Sequence, residues 1–113
     1  MRVNEQDLFE NLQTLARDAS REGIRENLKQ FRPEDIAEAL VRLDFEDQLT
    51  ILQSLTPEFA GDVLVELPTQ TARDLLREIP DEVAAHYLDI LPVDDALELV
   101  EVLGEHRLEA LLE

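Results

Sequence analysis

The chain contains no cysteine and no tryptophan, and only three glycines among its 113 residues. The missing cysteine excludes a disulfide framework, a thiolate nucleophile and cysteine-ligated zinc. Glycine is too sparse and too scattered to form a phosphate-cradling loop. Bases are also scarce, 10 against 27 acids, for a formal charge of -17. Nucleic acid and anionic membrane surfaces both demand a basic footprint, so neither is expected as a partner. No apolar run approaches the roughly 18 residues of a membrane span. The opening Met1-Arg2-Val3-Asn4-Glu5-Gln6-Asp7 lacks the apolar core of a signal peptide. The segment itself is therefore expected to be soluble, with no direct membrane insertion.

What is present is a repeat. From Arg32 to Leu103 the chain reads as six consecutive units of 12 residues, beginning at Arg32, Asp44, Thr56, Pro68, Pro80 and Pro92. Position twelve is always Leu or Ile: Leu43, Leu55, Leu67, Ile79, Leu91, Leu103. Position nine is Leu40, Leu52, Leu64, Leu76, Leu88 and Val100, and position eight is Ala39, Ile51, Val63, Leu75, Tyr87 and Leu99. Position five is mostly small: Ile36, Gln48, Ala60, Ala72, Ala84, Ala96. Such a period takes precedence over every other signal. Positions five, eight, nine and twelve lie on one face of an α-helix. Proline at or just after position one then stops the preceding helix, because it lacks an amide hydrogen and forces the residue before it out of helical geometry. Thr56-Pro57-Glu58 reads as an N-cap, a proline at the first helical position and an acid at the positive end of the dipole. Asp44, Thr69 and Asp81 are expected to cap in the same way.

Helices of about nine residues are unstable alone and must pack through their leucine stripe. Two units form a 24-residue hairpin, and hairpins stack into a solenoid. The fold expected is all-α, a superhelix of short helices with a 12-residue repeat; spacing alone leaves its hand open. One domain is expected over residues 4–113. It comprises a longer first helix at 4–19, a degenerate unit at 20–31, six regular units at 32–103 and a truncated unit at 104–113. The last unit stops before position twelve, so further polypeptide is expected to follow in a parent protein.

The charge is unevenly placed. Residues 1–42 hold nine acids and seven bases, whereas residues 43–113 hold 18 acids and three bases. An acidic second half favours cations or a basic partner. Catalytic chemistry finds little support. His86 and His106 sit on separate units without metal-site spacing, and Ser20 and Ser54 have no neighbouring base or nucleophile elbow. Tyr87 falls in the apolar stripe. No carboxylate pair is marked by an apolar pocket that would tune it for acid–base work. An enzyme is not expected.

Carboxylate ladders are the remaining chemical feature. Asp94 and Asp95 open the unit Pro92–Leu103, and Glu98 lies one helical turn beyond. Asp62 with Glu66 and Asp74 with Glu78 repeat the i, i+4 spacing. Like charges at that spacing repel unless neutralised. One or two carboxylates with retained waters suit Mg²⁺ or Ca²⁺, although the loop of a closed calcium site is absent.

The run Arg32-Pro33-Glu34-Asp35-Ile36-Ala37-Glu38-Ala39-Leu40, the leucine repeat, and Pro92-Val93-Asp94-Asp95-Ala96 together resemble the N-terminal domain of MgtE-type magnesium transporters. That family shows an H-P-x-D-[IVL]-A-E-x-L opening and a later D-D-A-x-x-L unit; here Arg32 replaces the usual His. The resemblance covers about residues 20–113. It implies a right-handed superhelix on the cytoplasmic side of the cell membrane. It also implies partners within a homodimeric parent: a pair of CBS domains and a transmembrane pore, neither of which this sequence contains. It further implies Mg²⁺ held between acidic residues of the superhelix and of a CBS domain, favouring the closed pore. By position Asp94 is the foremost candidate, with Asp62, Asp95 and Glu98 beside it. An acidic helical-repeat scaffold with no metal role is the alternative.

Overall fold

The proline spacing takes effect residue by residue. In this computed structural model, which describes residues 5–97, the Leu or Ile that closes each of the units 44–55, 56–67, 68–79 and 80–91 is the point where its helix stops, whereas in the unit 32–43 the helix already ends at Leu40. Leu55, Leu67, Ile79 and Leu91 are extended, with ψ between 138° and 158°. Three of them precede a proline, which disfavours the helical region for its predecessor. The side chain at position twelve thus leaves the helix axis and still turns into the core.

Seven helices result: α1 (Glu5–Asp18), α2 (Arg21–Leu28), α3 (Pro33–Leu40), α4 (Phe45–Ser54), α5 (Pro57–Glu66), α6 (Thr69–Glu78) and α7 (Asp81–Ile90). A further helical turn occupies residues 93–97. No strand occurs among the described residues. Thr56 caps α5 as expected, its hydroxyl accepting from the Phe59 amide at 3.3 Å. The other three expected caps do not form. Pro68 and Pro80 take the N-cap positions of α6 and α7, so Thr69 and Asp81 lie inside their helices. Asp44 is at the N-cap of α4 but makes no cap hydrogen bond; its carboxylate is 4.0 Å from Arg17 instead. Ser20 caps α2 by accepting from the amide of Gly23, a residue inside that helix, at 3.0 Å.

The apolar stripe is the core. Ile36, Leu40, Ile51, Leu52, Val63, Leu64, Leu75 and Leu76 are all but fully enclosed. Leu8, Leu12 and Leu15 of α1 and Ile24 and Leu28 of α2 extend the same core. Each fully buried aliphatic side chain stabilises the fold by roughly 1.5–3 kcal/mol, so the stripe, not helix propensity, holds these short helices.

Packing joins alternate helices. α1 lies on α3, α3 on α5 and α5 on α7, forming one row. α2 on α4, and more lightly α4 on α6, form a second, while α1 also reaches α4. The layer of the stack is therefore the 24-residue pair of units, and the molecule is elongated, 44 × 24 × 21 Å. Position six explains why the rows differ. In the first row it is Ala37, Gly61 and Ala85; in the second it is Leu49 and Arg73. Small residues let helix axes approach, and bulky ones hold them apart. At Gly61 the approach is closest to view: a Cβ there would lie 3.2 Å from Leu91 Cδ2 and 3.9 Å from the Tyr87 carbonyl oxygen.

Candidate acidic site

The bases of the first 42 residues are largely engaged within the protein. Arg17 of α1 lies 3.6 Å from Asp47 of α4, and the Arg42 guanidinium sits 4.6 Å over the Phe9 ring. Arg25 of α2 donates its Nε–H to the Ser54 carbonyl oxygen at the end of α4, at 3.1 Å. Lys29 pairs with Glu26 at 2.7 Å, and this contact holds the Glu26 carboxyl below its usual value. These contacts fasten α1 and α2 to the stack. They leave the later helices with their own imbalance: residues 43–97 carry 13 acids and only Arg73 and Arg77 as bases.

The candidate carboxylates occupy different elements. Asp62 is exposed in the middle of α5, and Glu66 is exposed one turn later. Asp94 is exposed and Asp95 half-buried in the turn of helix at 93–97. Glu98 lies outside the described residues. Asp74 of α6 is half-buried and accepts a hydrogen bond from Gln70 Nε2 at 2.9 Å, so its ladder with Glu78 is partly engaged. No group of three or more His, Asp or Glu that could hold a metal ion occurs among the described residues. Asp62 and Asp94 each lie close in sequence to one packing contact. Gly61, which precedes Asp62, lies against Leu91, which begins the Leu91-Pro92-Val93-Asp94 turn.

Carboxylate oxygens on two adjoining elements are the ligand type for a hard divalent cation that keeps part of its water shell. Here they are spread over α5 and the turn at 93–97, and the described residues do not gather three of them at one place. His86 is exposed on α7, and Tyr87 is buried, its hydroxyl pushed above the ordinary value by burial while the Arg21 charge opposes the shift. Two contributors escape a reading of the apolar stripe alone. Gln48 and Arg25 both bond the carbonyl ends of helices. The 24-residue alternation at position six was visible in the sequence but is masked by the shorter period.

The fold and its surface define a class: a stack of short helical repeats whose first 42 residues are nearly balanced in charge and whose later helices are strongly acidic. The chain belongs to the MgtE intracellular N domain family, whose pattern matches residues 31–113. It is thus a domain of the magnesium-transporter class. Neither the curated proteins nor the solved structures contain a match to it. α1 and α2 precede the matched residues, although both pack on helices within them. Among the described residues no helix is long and apolar enough to cross a membrane.

Proposed function

We propose that residues 4–113 act as one Mg²⁺-responsive regulatory domain of a magnesium transporter. Membership of the family supports the transporter context. The observation that supports the sensing role is the exposure of Asp62 on α5 and Asp94 after α7, in a region with 13 acids and two bases. An opposing acidic surface, that of a CBS domain in the same homodimeric parent, is repelled by this one when Mg²⁺ is low. Asp62 and Asp94, with Asp95 and Glu98 beside them, would supply oxygens to a hydrated Mg²⁺ shared across the interface. Neutralisation then favours the docked arrangement and the closed pore. The equilibrium moves only by the difference in Mg²⁺ affinity between docked and free states. Weak, water-mediated binding by few carboxylates suits an abundant ion that dehydrates reluctantly.

The test replaces each carboxylate in a transporter carrying this domain. Asp94→Asn and Asp62→Asn are expected to raise the Mg²⁺ concentration needed for closure, with the larger effect from Asp94. Closure at an unchanged Mg²⁺ concentration in both variants overturns the reading.

A further inference from the structure

We infer that the open face of α7 is a docking surface for residues 105–113 of the same chain, which would lie on it as α7 lies on α5. The inference is independent of the Mg²⁺ reading above. It starts from unequal cover over equivalent positions. At position nine, Leu40 of α3 and Leu64 of α5 are all but fully enclosed, whereas Leu88 of α7 is only partly buried. At position six, Ala37 and Gly61 are buried and Ala85 is half-buried. The difference follows from the row. α3 is covered by α5, and α5 by α7, whose Tyr87 carbonyl and C-cap Leu91 side chain close over Gly61. Among the described residues no helix of this row follows α7.

The two ends of the stack also differ in chemistry. The exposed residues described on α1 and α2 are all polar, from Asp7 to Asn27, as the end of an open solenoid requires. At the other end Val83 is exposed on α7, and Val93 and Leu97 are exposed on the turn after it. An apolar end calls for a further layer, and the chain supplies one in the right phase. Leu108, Leu111 and Leu112 fall on positions five, eight and nine, two units after Ala84, Tyr87 and Leu88. The family pattern runs through residue 113, so these leucines belong to the same stretch of sequence as α3 to α7. The 24-residue spacing that carries Gly61 to Ala85 carries Tyr87 to Leu111. The Tyr87 carbonyl over Gly61 therefore has its counterpart in a Leu111 carbonyl over Ala85, and a small residue at 85 leaves room for that approach.

The test uses the 113-residue chain, where the absence of cysteine permits a single label. A nitroxide on Asp89→Cys, exposed on α7, is expected to broaden the amide resonances of residues 105–113 in its own chain. Those amides are expected to exchange slowly with solvent, as amides under a packed layer do. Ala85→Arg and Leu88→Asp are expected to abolish both effects while α3 and α5 keep their protection. Free exchange of residues 105–113 in the unsubstituted chain overturns the proposal. So do broadening and slow exchange that survive both substitutions. Broadening that arises only when an isotope-labelled chain is mixed with a separately spin-labelled one assigns the face to a second copy, which also overturns it. Should either face variant fail to fold, the nitroxide and exchange readings still decide, because the label at the exposed position 89 leaves the core untouched.

Discussion

Gln48 donates its Nε2–H to the carbonyl oxygen of Leu40 at 3.0 Å, inside the core. It is the polar exception at position five, where the other units place Ile or Ala. Its partner belongs to the last turn of α3, and the same carbonyl also accepts from the Leu43 amide at 3.0 Å. Gln48→Leu would keep the volume and remove one of the two hydrogen bonds that this carbonyl accepts. The expected loss of stability is about 0.5–1.5 kcal/mol, read as a lower urea midpoint with an unchanged slope. A variant as stable as the parent would show that water takes over the bond.

Tyr87 gives the chain an alkaline limit. Burial raises its hydroxyl above the ordinary value of 10.0 in the folded state. The unfolded chain therefore releases this proton first as pH rises. The stabilisation is complete below pH 10 and declines as the pH climbs from there through the folded-state value. Since the sequence contains a single tyrosine, its ultraviolet absorbance reports this group alone. Tyr87→Phe should flatten the loss of stability above pH 10. An equal alkaline decline in that variant would place the cause elsewhere.

The family match begins at residue 31, yet α1 covers α3 and α4. A chain starting at residue 31 would lose the burial of Leu8, Leu12 and Leu15 and uncover the face of Ile36 and Leu40. At roughly 1.5–3 kcal/mol for each leucine, the loss rivals the whole stability of a small domain, about 5–15 kcal/mol. Such a chain is expected to lose cooperative unfolding or to self-associate, as circular dichroism melts and sedimentation would show. A cooperative monomer with an unchanged midpoint would contradict the packing described.

Self-repulsion among the acids should make stability depend on salt. Sodium chloride is expected to raise the melting temperature through screening. A gain of about 1 kcal/mol corresponds to about 4–8 °C in a domain of this size. Magnesium chloride at matched ionic strength should raise it further if carboxylates take up the ion. Equal curves for the two salts would reduce the acidic surface to a solubility feature.

The leucine stripe was legible because a strict period admits one interpretation: among the described residues, positions five, eight, nine and twelve are buried, apart from the partly buried Leu88 and Ala96. Helix ends were legible where proline dictates them, at Leu67, Ile79 and Leu91. Caps were less so. Asp44, Thr69 and Asp81 have suitable side chains, but Pro68 and Pro80 already possess the extended geometry an N-cap needs, and Arg17 attracts Asp44. The candidate site was legible only as residue types. Whether Asp62 and Asp94 adjoin depends on which helices stack. That choice lies in the size of Gly61 against Leu49 and Arg73, not in the apolar pattern that all units share.

The two unlike rows also limit how such a chain can lengthen or shorten. Adding or removing one 12-residue unit would transfer every later helix to the opposite side. Gly61 and Ala85 would then stand where bulk is needed, and Arg73 where there is no room for it. Descendants of this architecture should differ in length by whole pairs, and an odd change should appear only together with compensating swaps at the sixth residue of each turn of the stack.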